Sequence, residues 1–253
     1  MFALAIRATS TGYSWAEPLE ARIDKPKAPR TTRRATARNG TRNGARNGAG
    51  GRDPERTQAA ILAAATAEFT AKGLGGARVD EIARRARVNK RMIYHYFGDK
   101  EGLYLAVLEA AYTKIRTAER GLALSDKDPV QGMRELVLFT WHYFIDHPEF
   151  LSLLGTENLH RSAYLKRSKK IRELHSPLVG MIADLLERGA KKGVFRRGID
   201  PVQLYITIAS LGWFYMSNRF TLSTIFGRDL TADTSLKERG EHNVNVVLAY
   251  LRP

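Results

Sequence analysis

The sequence predicts an all-α chain, a small three-helix unit followed by a larger helical domain. Three observations carry this expectation. Apolar residues keep a helical period from Asp128 to Pro253, with neither an alternating strand pattern nor a hairpin signal. Two short amphipathic segments lie on either side of a tight turn between Val79 and Phe97. The length, 253 residues, is enough for one small and one larger core. The expected organisation is residues 1–52 as a disordered Arg-rich arm, 53–100 as the three-helix unit and 101–253 as the larger domain.

The first 51 residues hold ten Lys and Arg against three acidic residues, a balance of +7 within a chain whose net charge is +15. Arg38-Asn39-Gly40, Arg42-Asn43-Gly44 and Arg46-Asn47-Gly48 recur every four residues. Asn-Gly pairs break helices and the segment has little to bury, so disorder is expected. A flexible basic arm can follow phosphates or enter a narrow minor groove; a passive tail, or a start placed too far upstream, accounts for the composition equally well. Met1 to Ile6 is too short for a secretory signal, so a cytoplasmic location is expected.

Asp53-Pro54-Glu55 places an N-cap, a proline at the first helical position and an acid in the first turn. A helix extends from there to about Lys72, with Ile61, Leu62, Ala65 and Phe69 as its apolar stripe and Gly73 as its stop. Val79, Ile82, Ala83 and Ala86 give a second helix, Arg87-Val88 a turn, and Asn89 the cap of a third that runs from Lys90 to about Phe97. Met92, Ile93 and Phe97 are expected to pack inward, leaving Lys90, Arg91, Tyr94, His95 and Tyr96 outward. Basic residues in the first turn of such a helix are where a helix-turn-helix meets base edges in the major groove. Asp99 caps the next helix, whose Leu103, Val107, Ala110 and Ala111 tie the small unit to the larger domain.

The run from Asp53 to Leu108 resembles the DNA-binding domain of the tetracycline-repressor-like (TetR) family of bacterial regulators. Ile82, Ala83, Ala86, Val88, Ile93, Tyr94, Tyr96, Phe97, Lys100, Glu101 and Leu103 fall on the family pattern in register. The resemblance implies that Asn89, Lys90, Arg91, Tyr94, His95, Tyr96 and Lys100 face DNA, with Tyr94, Tyr96 and Lys100 on phosphates. The chain departs from the pattern twice. Arg87 stands where relatives carry a left-handed Gly, at a cost on the order of 1 kcal/mol, and Arg78 stands where they carry a Thr cap.

Further helices are expected near 129–146, 148–159, 162–191, 201–220 and 235–251, the third kinked or divided at Pro177. The run Val202 to Met216 is apolar enough to be buried almost all round but too short to span a bilayer. Helix order, the Asp200-Pro201-Val202-Gln203-Leu204 opening and the C-terminal segment resemble the TetR branch that contains the pyrimidine-utilisation repressor. The resemblance implies a homodimer formed through the last two helices. Leu204, Ile208, Leu211, Tyr215, Val244, Val247, Leu248 and Leu251 are then either its contacts or intrachain core, which periodicity leaves open. It also implies an effector cavity in the larger domain, for which Trp141, His142, Phe144, Phe150, Leu154, Glu157, Asn158, Tyr205 and Trp213 offer aromatic and polar lining; ordinary core packing is the alternative.

The net charge favours polyanionic partners. With no cysteine, disulfides, thiolate metal sites and cysteine nucleophiles are excluded. No phosphate-binding or nucleophile-elbow motif occurs, His142 and His147 lie on diverging helix faces, and no cofactor, metal or membrane partner is expected. The basic run Lys166 to Lys170 reads as a solvated helix face. The function expected is a ligand-responsive transcriptional regulator acting on an operator in double-stranded DNA, with an architectural DNA-binding protein as the alternative and no enzymatic role.

Overall fold

A computed structural model describes residues 53–253, the side chains of residues 174–176 excepted; the expected arm over residues 1–52 lies outside the described residues. Among the described residues there is no strand. The helices are α1 (Pro54–Gly76), α2 (Val79–Ala86), α3 (Lys90–Phe97), α4 (Lys100–Arg120), α5 (Pro129–Asp146), α6 (Pro148–Leu159), α7 (Lys169–Lys191), α8 (Pro201–Phe226) and α9 (Asp233–Leu251).

Most starts are dictated locally. Asp53, Asp99, Asp128 and Asp200 accept hydrogen bonds from Glu55 N, Gly102 N, Val130 N and Val202 N at 3.0, 2.7, 3.0 and 2.8 Å. Prolines open α1, α5, α6 and α8, where an amide N–H would have no helical partner. The step from α3 to α4 requires Gly102, because a Cβ there would sit 2.1 Å from the Phe97 carbonyl oxygen.

Several boundaries differ from expectation. Gly73 takes φ 63° and ψ 178° and breaks α1, yet a further turn runs on to Gly76 and buries Leu74. The helix expected over 162–191 begins only at Lys169. Arg161 and Ser162 turn left-handed after α6, at φ 55° and 59°, residues 165–167 form a 3-10 turn, and Ser168 Oγ caps α7 by accepting from Ile171 N at 3.1 Å. The basic run Lys166 to Lys170 is therefore a turn and a helix start rather than a helix face. Pro177 lies inside α7, which continues through it as one helix. The eighth helix extends past 220 to Phe226, and the ninth starts at Asp233 rather than 235.

One apolar cluster runs from the small unit into the larger domain. Phe69 of α1 meets Tyr104 of α4 edge-on at 5.1 Å, and Tyr104 meets Tyr164 likewise at 5.2 Å. A second cluster gathers α5, α7, α8 and α9 around Leu136, Ile182, Leu185, Ile208 and Val244; burying each such side chain contributes about 1.5–3 kcal/mol. Leu204, Ile208, Tyr215, Val244, Val247 and Leu251 are buried within the chain, with Leu211 and Leu248 packed partly against the same core. The run Val202 to Met216 is not buried all round, since Val202, Ile206 and Phe214 are exposed. With Phe220 on α8 and Val246 and Tyr250 on α9 they form the apolar surface these two helices leave uncovered.

Candidate nucleic-acid interface and ligand cavity

Val79, Ile82 and Ala83 bury one side of α2, and Ile93, fully buried, anchors α3 beneath it. Met92 and Phe97, expected inside, are only partly buried. Between the two helices Arg87 adopts φ 55° and ψ 40°, the left-handed geometry that a glycine would take without strain. Asn89 Oδ1 accepts from Arg91 N at 2.9 Å and starts α3. The opposite side of α3 presents Arg91, Tyr94 and His95 to solvent. Tyr96 is half-buried, its ring 5.1 Å from that of His95.

Two of the expected DNA-facing cations are held by the protein itself. Lys90 Nζ lies 2.8 Å from Asp80 on α2, and this partner raises the ammonium above the ordinary lysine value. Lys100 Nζ donates to the Gly75 carbonyl at 3.3 Å, satisfying an oxygen at the end of α1. The Lys90–Asp80 pair is exposed, and such pairs contribute only about 0–1 kcal/mol.

The reading unit is braced from below by Glu68, whose side chain is fully buried. Its carboxylate accepts from Lys72 Nζ at 2.7 Å and Arg78 N at 3.4 Å, and lies 3.4 Å from Arg85 NH2. Chiefly through Lys72, these partners hold it below the usual glutamate value. Sequence reasoning missed this residue; its one signal was an acid within the apolar end of α1.

In the larger domain a cavity of about 500 Å³ lies between α4, α5, α6, α8 and the 160–168 segment. It brings together Phe144, Phe150, Leu154, Glu157, Asn158, Tyr205 and Trp213. Trp141 lies elsewhere: it is fully buried, its Nε1 donates to the Leu236 carbonyl at 3.0 Å, and it fastens α5 to α9. His142 borders a separate groove between those helices. Tyr112, Ser162, Leu165, Ile206, Ala209 and Ser210 complete the lining and were not singled out from sequence. Spacing from Tyr205 on α8 offered a signal for Ala209, whereas nothing local marked Tyr112 or Ser162.

The cavity's polar groups have unequal freedom. Asn158 Nδ2 donates to the Leu154 carbonyl of its own helix at 2.9 Å. Tyr205 OH accepts from Arg116 NH2 at 3.0 Å, and Arg116 pairs with Glu119 at 2.8 Å, both ions being buried. Burial pushes the Glu119 carboxyl up to about 7, against the pull of Arg116. Burial likewise raises the Tyr112 phenol, keeping it neutral. Glu157 is 2% exposed; its Oε1 accepts from Tyr164 N at 3.0 Å and Leu165 N at 2.9 Å. Its Oε2 has no hydrogen-bond partner among the described residues.

A capped, basic and aromatic helix displayed by a short helix pair, on a helical domain that contains a cavity, defines a helix-turn-helix DNA-binding transcriptional regulator. Comparison with known proteins gives the family. Residues 61–107 match the model of bacterial regulatory proteins of the tetR family, and residues 129–247 match a tetracyclin repressor-like C-terminal domain. The HTH-type transcriptional repressor NicS of Pseudomonas putida is 44% identical over 183 residues, covering 72% of this chain and 86% of NicS. The HTH-type transcriptional repressor SCO4008 of Streptomyces coelicolor is 34% identical over 187 residues, covering 72% and 90%. Among solved structures, the putative transcriptional regulator SCO4942 of Streptomyces coelicolor superposes with a TM-score of 0.59 at 25% identity, covering 78% of this chain and 99% of that one. The chain belongs to the tetR family of bacterial regulatory proteins.

Proposed function

We propose that this protein is a homodimeric repressor that leaves its operator when a small molecule enters the cavity of the larger domain. The observation that carries this reading is α4. It is capped at Asp99 directly behind the reading helix, and it contributes Tyr112 to the cavity further along its length. A displacement of α4 changes the separation of the two reading helices in a dimer, and so their match to a two-fold operator. That both NicS and SCO4008 are named repressors supports the sign of regulation.

In this reading Lys90 and Arg91 contact base edges, Tyr94, Tyr96 and Lys100 contact phosphates, His95 flanks them, and Asn89 sets the start of α3. The dimer forms through α8 and α9, and the exposed Ile206, Phe214, Phe220, Val246 and Tyr250 supply its apolar surface. Among the described residues no helix is long and apolar enough to cross a membrane; a regulator of DNA acts in the bacterial cytoplasm. Selecting bound sequences from random DNA tests the reading. The expected product is one two-fold site, bound far more tightly than random DNA at physiological salt. Binding without sequence preference would point to an architectural protein instead.

A further inference from the structure

Arg239 of α9 is a half-buried cation that no ion pair joins to an acid among the described residues. Its Nη2 donates to the Leu211 carbonyl of α8 at 3.2 Å, its guanidinium lies 5.4 Å from the centre of the Tyr215 ring, and its Nε is buried without a hydrogen-bond partner among the described residues. Nη1 is neither bonded among the described residues nor buried, so it is the donor left for a guest. Burial holds the group below the ordinary arginine value. A guanidinium nevertheless stays protonated, and a desolvated charge without a partner is unfavourable. Arg239 lines a pocket of about 360 Å³ where α8, the 227–232 connection and the first turns of α9 meet, and Arg228 and His242 line it too. Hydrogen bonds fix this corner. Tyr215 OH donates to the Leu230 carbonyl at 2.9 Å, Leu230 N to Ser223 Oγ at 3.0 Å, and Ser235 Oγ to the Asp229 carbonyl at 2.7 Å.

The neighbouring acids are engaged elsewhere. Glu238, in the same lining, pairs with Arg228, and Asp229 accepts from Thr231 N at 2.8 Å and Thr231 Oγ at 2.7 Å. Asp233 and Glu241, the other acids of α9, border the groove on the α5 side, where Glu241 holds Arg134 at 2.6 Å. The helix α8 carries no acidic residue. A second copy docked through α8 and α9 therefore brings no free carboxylate to this corner, a step that rests on the dimer reading. We propose that the pocket binds a small diffusible oxyanion, a phosphate or a carboxylate, on the guanidinium of Arg239, with Arg228 and His242 at its rim. The fork of a guanidinium matches paired oxygens, and the Tyr215 and Ser235 hydroxyls, spent on backbone carbonyls, leave the cations as donors. The site shares no residue with the cavity between α4, α5, α6 and α8. His242, Val246 and Tyr250 follow at four-residue spacing on one face of α9. A bound anion thus neutralises a charge beside the apolar surface that the two copies bring together.

The experiment is calorimetry of the full chain in sodium chloride at constant ionic strength, with inorganic phosphate, sulfate and acetate as probes. At least one of these is expected to saturate a single site per chain and to raise the melting temperature. Saturation by phosphate or sulfate assigns a tetrahedral anion, and saturation by acetate a carboxylate. Arg239→Gln should weaken that anion by about tenfold or more, the scale of a lost charge-assisted pair, and abolish its effect on melting. Arg239→Lys keeps the charge but not the fork; it guards against a folding defect in the Gln variant and should bind several-fold more weakly than the native chain. Arg197→Gln, at an exposed position outside the pocket, should bind as the native chain does. No saturable binding at millimolar concentration, or native affinity in Arg239→Gln, would overturn the proposal; the latter would mean general attraction to a basic chain. Sedimentation of the same preparations separates the two readings. A native monomer that binds the anion through Arg239 overturns the dimer and leaves the site standing, whereas a dimer without Arg239-dependent binding overturns the site alone.

Discussion

Lys90 of α3 rests 2.8 Å from Asp80 of the helix beneath it, so a side chain proposed above to meet DNA is paired with a carboxylate of its own chain. Replacing Lys90 or Arg91 with Ala should lower the preference for operator over random DNA by about 1–3 kcal/mol wherever a good base contact is lost. Asp80→Asn frees Lys90 and should leave operator affinity unchanged or slightly tighter. Competition binding checks both; a Lys90→Ala, Arg91→Ala double variant with native specificity would remove α3 as the reader.

The uncovered surface of α8 and α9 predicts the assembly. Phe214 is 59% exposed in the single chain, whereas Leu248 is packed partly into the core. Phe214→Glu should therefore give folded monomers that bind operator weakly, while Leu248→Glu should also lower the melting temperature. Sedimentation at micromolar protein, the scale on which a regulator's dimer must hold, together with thermal melting separates the two effects.

Acid should destabilise the fold, the reading unit included. Glu81 is held down to about 2, chiefly by its hydrogen bond to Arg84 and then by that to Arg85, and Glu68 is held below its ordinary value chiefly by Lys72. Because both folded values lie below the unfolded one, their stabilisation is fully present above about pH 4.5. It is lost as pH falls toward 2. Melting curves at pH 7, 4.5 and 3 should show a fall confined to the lower interval. Glu68→Gln should reduce that fall and already melt lower at pH 7.

The basic residues 1–51 make a separate prediction. If Arg38, Arg42, Arg46 and their neighbours neutralise phosphates, deleting residues 1–51 should make the slope of log affinity against log salt shallower by roughly 0.9 per lost contact. Specificity should change little, because three equivalent Arg-Asn-Gly units have no fixed register against base edges. Identical slopes for the full and shortened chains would make the segment passive toward DNA.

The features legible in the sequence are those set by local chemistry. Asp-Pro pairs at 53–54, 128–129 and 200–201 are hydrogen-bonding instructions that need no tertiary partner, and each opens a helix in the structure. The break at 160–168 carries no Gly or Pro; it depends on left-handed Arg161 and Ser162 and on Ser168, whose hydroxyl is secured by Glu109 on another helix. Trp141 and Phe144 were legible together as candidate cavity lining, but the sequence could not show that the indole N–H of Trp141 finds its acceptor on α9. The same limit applies on α8, where Ile208 and Phe214 are equally apolar in sequence and only packing reveals which one faces the core. Glu157 stood out as a polar residue among aromatics, while its division between a loop and a cavity required the folded chain.

The central claim, that the cavity governs the reading helix, is tested by titrating the selected operator complex with the member of a metabolite library that binds the free protein most tightly. The account predicts an operator affinity at least tenfold weaker with that molecule bound, and, by linkage, its own affinity weakened by the same factor when operator is bound. A molecule that saturates the native cavity, loses its affinity in Trp213→Ala, and leaves operator affinity unchanged would contradict it.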